Sequence, residues 1–404
     1  MSAESLEKLA KLGGADSAGL LWLYGEGWPC RFRRLMQIGY SLWQWLTSKG
    51  QFVCVSGRDV PSACGRVSLD VTTSLSCIVK GGCVLRNASL EKIAEQVGFF
   101  WNATPSAYLG DAGVLVLYGV QEGQEVVVHV SDDEVKINRY REGYFRAEQA
   151  FVDASFDSTI PKVIRLGKNA VGLIMMQNKL DGFIIVPYKL SKDELFLYIN
   201  AALLPLSSFR EVKRNDRMQD NELEFLYNQG KSLKNSKINI KIEKPLKALL
   251  EWRRRFFRTN FVAHCDYVFQ NILFKQKNGD LEVSGILDWE FSQHYTPVGF
   301  DALFLVVRSY SSWKNYDPIM VLAGIWRGDS DPVFSELITM IKGRFLINSD
   351  DICFLALEIW IRHLAWHAED FDKWDPARQQ EWLFHPSESA IRWIDTHHAP
   401  MGNN

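Results

Sequence analysis

The sequence predicts an α+β fold in which a small β-rich part precedes a larger, mostly helical part. Two strand-like runs, VLVLY at residues 114–118 and EVVVHV at residues 125–130, flank a glycine-containing turn and together predict a hairpin. Apolar residues later recur with the spacing of helices, in residues 247–258, 355–367 and 386–397. A second predicted hairpin, within residues 261–301, interrupts these helices.

Three segments follow from this order of elements. We expect an accessory α/β segment at 1–88, a β-rich part at 89–182 and a helical part at 183–404. The accessory segment is too short for an independent catalytic domain, so we expect it to pack against the β-rich part. It carries no recognised motif, and its patterns predict a helix at 31–45 and strands at 51–55 and 75–79.

The β-rich part combines the first hairpin with further elements. Its patterns predict a short helix, a longer helix and a strand, at residues 90–97, 139–154 and 172–176. The run IPKVI at 160–164 lies between the second helix and that strand. Residues 206–247 are polar and of mixed charge, and we interpret them as helix pieces and solvated loops.

The composition restricts the kind of partner. Hydrophobic residues make up 47% of the 404 residues, charged residues make up 23%, and the formal net charge is −2. Nothing in this balance predicts attraction to nucleic acid or to a membrane surface, so we expect neither as a partner. Seven cysteines without a C-x-x-C pair indicate reduced thiols in a cytoplasmic protein. We see no secretory signal and no apolar stretch of about 20 residues that could span a membrane.

The interrupting segment, FVAHCDYVFQNILFKQKNGDLEVSGILDWE, carries the candidate chemistry. His264 and Asp266 precede Asn271, an apolar strand follows, an Asn-Gly turn comes next, and the returning strand ends at Asp288. Phosphoryl transfer needs such a set, because Mg²⁺ takes hard oxygen ligands and the acceptor hydroxyl needs a base. Asn271 and Asp288 could hold the metal, Asp266 could be the base, and His264 is expected to support the loop. A surface hairpin with ordinary acidic ends is the alternative.

The segment resembles the catalytic and metal-binding loops of the aminoglycoside phosphotransferase and choline kinase family, whose fold is that of protein kinases. The matching features are the His264, Asp266 and Asn271 spacing, the Asp-Trp-Glu run that begins at Asp288, and a later proline and Asp301. The resemblance implies a two-lobed protein kinase-like fold over residues 100–397. It also implies that Asp301 buttresses the catalytic loop, although Asp301 could equally be only a helix N-cap.

The resemblance further implies where ATP would bind. The residues expected to contact the nucleotide are Gly110, Gly113, Val127, His129, Glu148, Met176, Gln177 and Asn178. The two glycines would belong to the phosphate loop, although a plain turn fits them as well. Val127 would lie under the adenine ring, and the backbone of residues 176–178 would bind its edge. Glu148 would pair with the phosphate-binding residue, although a lone helical glutamate is more often simply exposed.

The sequence departs from the family at that phosphate-binding residue. His129 stands where the third strand should carry a lysine. An unperturbed imidazole is mostly neutral near pH 7, whereas lysine is charged. Three accounts remain open: a bound nucleotide protonates His129, Lys136 reaches the phosphates instead, or the protein binds nucleotide poorly and does not catalyse.

The leading functional hypothesis is ATP-dependent, Mg²⁺-dependent phosphorylation of a hydroxyl on a small molecule such as an amino sugar, a sugar or an amino alcohol. A nucleotide-binding or regulatory pseudokinase is the alternative, and an accessory segment with a ligand of its own is a third. Aromatic, histidine and acidic residues at 360–372 would suit a cationic substrate, but their spacing also fits a packed helix. Acceptor identity, nucleotide preference and oligomeric state stay open.

Overall fold

The computed structural model describes most of the chain after residue 94. The described residues are 95, 97–109, 114–131, 133–151, 154–169, 172–209, 224, 226–228, 231, 233, 241–255, 260–329, 331–367 and 376–398, with short strands before them at 21–22, 52–56, 68–69 and 82–86. The predicted helix at 31–45, the predicted strand at 75–79, Gly110 and Gly113 lie outside these residues, as does most of the polar segment 206–247.

The chain divides into two compact units. The first contains residues 1–142 and 161–179, and the second contains residues 143–160 and 180–404. The end of the first unit lies three residues before the boundary expected at 182. Residues 1–88 fall within the first unit together with the β-rich part. Residues 143–160, which the sequence assigned to the β-rich part, belong to the second unit.

The first unit is built on one sheet. Its strands are β1 Leu21–Trp22, β2 Phe52–Ser56, β3 Ser68–Leu69, β4 Gly82–Arg86, β5 Phe100–Leu109, β6 Leu115–Gln121, β7 Gln124–Ser131, β8 Val163–Asn169 and β9 Gly172–Asn178. Strands β5 to β9 are antiparallel in the order β5-β6-β7-β9-β8. Strand β2 pairs in parallel with β5, so the accessory segment extends the same sheet.

The predicted hairpin corresponds to β6 and β7. Glu122 and Gly123 both have positive φ, of 50° and 82°, which is the backbone of the tight turn that a two-residue hairpin requires. Strand β7 is buried on one face by Val126, Val128 and Val130. Alternation along the strand places the half-buried Val127 and the buried His129 on the other face.

Helix α1, Glu134–Ala147, follows strand β7. It begins five residues earlier than predicted because the carboxylate of Asp133 accepts hydrogen bonds from the backbone N–H groups of Val135 and Lys136. It ends earlier as well, because the N–H groups of Gln149 and Ala150 bond to carbonyls three residues back. A 3₁₀ turn, Ala154–Thr159, begins at the last residue of the predicted helix.

The second unit is mostly helical. Its helices are α2 Lys192–Leu206, α3 Glu243–Arg255, α4 Phe300–Lys314, α5 Pro318–Arg327, α6 Pro332–Phe345, α7 Ser349–His367, α8 Pro376–Gln379 and α9 His385–His397. Two antiparallel pairs interrupt them, formed by β10 Asn260–Ala263 with β13 Gln293–Pro297 and by β11 Ile272–Lys277 with β12 Asp280–Ile286. The predicted α+β class, with a β-rich part before a helical part, is confirmed.

Aromatic side chains form much of the core of the second unit. Trp289 and Trp360 are completely buried. The ring of Trp360 packs edge-on against Trp326, and its indole N–H donates to the carbonyl of Trp382. In the part of the chain that the structure describes, none of the helices has the length and apolar character needed to cross a bilayer.

Candidate active site

The catalytic-loop candidates lie between strands β10 and β11 of the second unit. His264 and Cys265 follow β10 directly, and the 3₁₀ turn Phe269–Asn271 leads into β11. Cys265 has a positive φ of 63°, a conformation that non-glycine residues adopt rarely and mostly at constrained sites. The loop thus reverses sharply just before Asp266, whose side chain stays partly exposed.

His264 ties the loop to the end of the second hairpin. Its Nδ1 accepts the backbone N–H of Asp266 at 3.2 Å, so Nε2 carries the proton and donates to the carbonyl of Leu287 at 2.7 Å. Complete burial lowers the pKa of His264 to about 4 and keeps the ring neutral at pH 7. These contacts are those of a supporting residue between Asp266 and the segment that contains Asp288.

Asn271 is oriented by Asp266. Its Nδ2 donates to the backbone carbonyl of Asp266 and to Oδ2 of the same residue, each at 3.0 Å. An amide nitrogen has two N–H groups, so both are used, and the amide oxygen Oδ1 remains as an acceptor. Such an oxygen is one of the hard ligands that Mg²⁺ prefers.

Asp288 stands at the end of the returning strand. The backbone N–H of Leu287 donates to the carbonyl of Asn271 at 2.8 Å, which brings the residue before Asp288 against Asn271. Asp288 has φ 62° and ψ 57°, the left-handed conformation, and so turns sharply out of β12. Its neighbour Trp289 is fully buried and donates its indole N–H to Ile286. One amide oxygen and one carboxylate therefore come from neighbouring strand ends.

The last turn of α1 contacts the segment from Asp288 to Ser292. The sequence patterns did not predict this contact. The hydroxyl of Tyr144 accepts the backbone N–H of Asp288 at 3.4 Å. Arg146 donates from Nε to the hydroxyl of Ser292 at 3.0 Å, and that hydroxyl lies 3.4 Å from the Gly143 carbonyl. A Cβ on Gly143 would lie 2.2 Å from the Trp289 carbonyl oxygen, so only glycine permits the approach.

Asp301 lies behind the loop. Its Oδ2 accepts the backbone N–H of His264 at 2.6 Å, and its Oδ1 accepts that of Cys265 at 2.9 Å. The N-cap of α4 is Gly299, so Asp301 is not the N-cap that the sequence left open. Burial raises the pKa of Asp301 to about 7, against the lowering effects of these two hydrogen bonds and of Arg362.

The residues expected to contact the nucleotide lie in the first unit, apart from Glu148. The ring of His129 packs 5.2 Å from that of Tyr140, and within the described part of the chain neither ring nitrogen has a hydrogen-bond partner. Burial lowers the pKa of His129 to about 4, so the imidazole is neutral at pH 7 in this structure. Lys136 lies 3.6 Å from the carboxylate of Asp133, at the first turn of α1.

The local structure differs from the prediction at Glu148 and at residues 176–178. Glu148 follows the end of α1 and is exposed, whereas the sequence placed it within the helix. Residues 176–178 form the end of strand β9, and the backbone N–H of Asn178 already donates to the Lys162 carbonyl at 3.1 Å. The next N–H, that of Lys179, donates to Glu125 at 2.9 Å.

The buried packing of Trp360 favours the packed-helix interpretation of residues 360–367 over a substrate pocket. The side chain of Trp360 is not exposed at all, and the ring of His363 packs 5.3 Å from that of Trp382. Residues 368–375 lie outside the described part of the chain. Trp360 therefore gives no support to a cationic substrate.

Comparisons with known proteins find similarity in solved structures. No protein-family model and no curated protein matches the sequence. A thermostable mutant of aminoglycoside phosphotransferase APH(4)-Ia is similar with a TM-score of 0.48 and 12% identity, over 76% of this chain and 98% of that chain.

Two other similar structures come from named organisms. For aminoglycoside phosphotransferase APH(3'')-Id from Streptomyces rimosus, the TM-score is 0.38 and the identity 13%, over 67% of this chain and 95% of that chain. For an ethanolamine kinase from Plasmodium vivax they are 0.39 and 13%, over 74% and 80%. These likenesses are distant.

Proposed function

We propose that this protein is a phosphotransferase that moves the γ-phosphoryl group of ATP to a hydroxyl of a small molecule. The observation that carries the proposal is the arrangement of Asp266, Asn271 and Asp288 in the second unit. Asn271 donates both amide hydrogens to Asp266, and the residue before Asp288 bonds to the backbone of Asn271. An ordinary surface hairpin needs neither the buried His264 nor the paired hydrogen bonds of Asp301.

Each residue has a role that its contacts support. Asp266 orients the acceptor hydroxyl and accepts its proton, and the two hydrogen bonds from Asn271 keep its carboxylate in place. The Asn271 amide oxygen and the Asp288 carboxylate would hold Mg²⁺, which neutralises charge on the transferred phosphoryl group. His264 and Asp301 fix the backbone on which Asp266 stands.

The nucleotide part of the proposal rests on the family resemblance. Val127, His129, the phosphate-loop glycines, Glu148 and the backbone near residues 176–178 are the proposed contacts. Because the N–H groups of Asn178 and Lys179 are already bonded, the adenine would bind other backbone groups of this segment. A neutral His129 attracts a phosphate much less strongly than a positively charged lysine does, so we expect weak nucleotide affinity.

Calorimetric titration with MgATP tests the metal-ligand assignment. We expect Asp288→Ala to lose Mg²⁺-dependent binding, while Asp280→Ala, at the exposed tip of the same hairpin, should bind as the wild type does. Asp266→Asn should bind nucleotide and lose turnover, measured as phosphate transfer to a panel of hydroxyl compounds. Equal MgATP affinity in Asp288→Ala and the wild type would contradict the assignment.

A nucleotide-binding pseudokinase is the second candidate. The favouring observation is that His129 is buried and neutral, with no hydrogen-bond partner among the described residues. His129→Lys separates the two candidates. If the wild type transfers no phosphate and the lysine variant binds MgATP more tightly, the pseudokinase is supported. Phosphate transfer by the wild type to any acceptor of the panel excludes it.

A further inference from the structure

A cavity opens beside the catalytic loop, entirely within the second unit. Its volume is about 200 Å³, less than that of a typical small-molecule pocket, so it has room for one compact group rather than for a whole ligand. Val268, Phe269 and Gln270 form one wall, and these are residues of the loop between Asp266 and Asn271. Pro187 and Pro318 close part of the remaining surface. The cavity therefore begins two residues along the chain from the proposed base.

Another part of the cavity lining is basic and rich in hydroxyls. It comes from α4 and the loop after it, and includes Arg308, Ser309, Ser312 and Tyr316. The side chain of Arg308 is exposed, and among the residues that the structure describes it has no ion pair and no hydrogen bond. Its guanidinium acts at longer range on Asp317, and it opposes the rise that burial causes in the pKa of that carboxyl.

The carboxylate of Asp317 does not occupy this basic part of the lining. It accepts the backbone N–H of Ile319 at 2.8 Å and caps the start of α5. Ser309 is 3% exposed, and within the described residues its hydroxyl has no hydrogen-bond partner. A buried hydroxyl of this kind is expected to find its partner in a water or a bound group.

We propose that this cavity binds an acidic group of the acceptor, a carboxylate or a phosphate monoester, while the hydroxyl of the same molecule reaches Asp266. The inference rests on the proposed phosphotransferase function and adds the substrate class to it. The guanidinium of Arg308 matches either anion with a pair of hydrogen bonds, and neighbouring hydroxyls can donate to the remaining oxygens. The acceptor would then be an acidic hydroxyl compound, in contrast to the amino sugar or amino alcohol that the family resemblance implies.

Calorimetric titration without nucleotide or Mg²⁺ tests the cavity by itself. The probes are D-glycerate and glycerol 3-phosphate, with glycerol and ethanolamine as uncharged and cationic counterparts. We expect an acidic probe to bind and its counterparts not to bind over the same millimolar range. Tighter binding of glycerate would indicate a carboxylate site, and tighter binding of glycerol 3-phosphate would indicate a phosphate site.

Two arginine variants provide the matched comparison. Arg308→Gln should weaken binding of the acidic probe about tenfold or more, because charge-assisted hydrogen bonds are lost. Arg327→Gln removes an arginine at the end of the next helix, where it pairs with Asp329, and should bind as the wild type does. Thermal unfolding of both variants checks that each is folded.

The outcomes separate this inference from the proposed function. Acidic-probe binding that Arg308→Gln abolishes supports the cavity whether or not phosphate is transferred. Failure of every acidic probe to bind, equal binding of ethanolamine, or unchanged binding in Arg308→Gln overturns the inference. Phosphate transfer to uncharged acceptors alone would overturn it too, yet leave the phosphotransferase proposal standing.

Discussion

Replacing Gly143 by alanine should destabilise the second unit, although alanine favours helices more than glycine does. The new Cβ would lie 2.2 Å from the Trp289 carbonyl oxygen, 2.6 Å from its carbon and 3.0 Å from the Glu290 nitrogen. All three are backbone atoms, so a side-chain rotation cannot relieve the overlap. Overpacking of this kind lowers the free energy of unfolding by up to about 3 kcal/mol. The higher helix propensity of alanine raises it by about 1 kcal/mol. The net loss is about 2 kcal/mol.

Gly343 in helix α6 provides the control, because it is exposed and a Cβ there would meet no atom within 4 Å. Gly343→Ala should therefore gain about 1 kcal/mol from propensity alone. The two variants should differ by about 3 kcal/mol, or roughly 6–12 °C in the melting temperature of a unit of this size. Differential scanning calorimetry measures both. Equal melting temperatures would refute the close approach of α1 to the Trp289 backbone.

Three further predictions concern the site itself. Asp266→Asn should lower the turnover rate about 10²- to 10⁴-fold by removing the base, with MgATP affinity unchanged in calorimetry. Tyr144→Phe removes one hydrogen bond to the Asp288 N–H. This change should weaken Mg²⁺-dependent nucleotide binding by about 1 kcal/mol, or roughly fivefold. An unchanged dissociation constant would argue against a positioning role for Tyr144. The pKa of Asp301 is raised to about 7 by burial, so its contribution to stability is present below about pH 4 and is lost as the pH rises through 7. Urea unfolding between pH 4 and pH 8 should accordingly show a smaller fall in stability for Asp301→Asn than for the wild type.

The second hairpin shows how much a local pattern can determine. The Asn278-Gly279 pair predicted a tight turn, and the structure has positive φ at both residues, 55° and 92°. The turn sets the register from the Lys277–Asp280 pair to the Phe274–Val283 pair, and a β-bulge then shifts it by one residue, so that Leu273 pairs with Gly285. Asn271 lies at the end of one strand and Asp288 just beyond the other. These signals act over a few residues, so they can be recognised in the chain without knowledge of its tertiary contacts.

The boundaries of helix α1 show where local patterns failed. The apolar spacing predicted residues 139–154, but the Asp133 cap starts the helix earlier and tightened turns after Ala147 end it. The polar cap lies before the apolar pattern, and the buried Ala150 and Phe151 continue that pattern beyond the helix. Burial continues there without helical hydrogen bonds, so periodicity alone misplaces both ends.

The sequence by itself determined the α+β class, both hairpins and the grouping of Asp266, Asn271 and Asp288, because hydrophobic alternation, turn residues and short spacings express them locally. Only the tertiary structure decided that His129 is buried and neutral, that Tyr144 and Gly143 contact the segment of Asp288, and that Arg308 lines a cavity beside the loop of residues 268–270. Burial, close backbone approach and pKa depend on residues far apart in the chain. Their effect appears only once the elements are packed together.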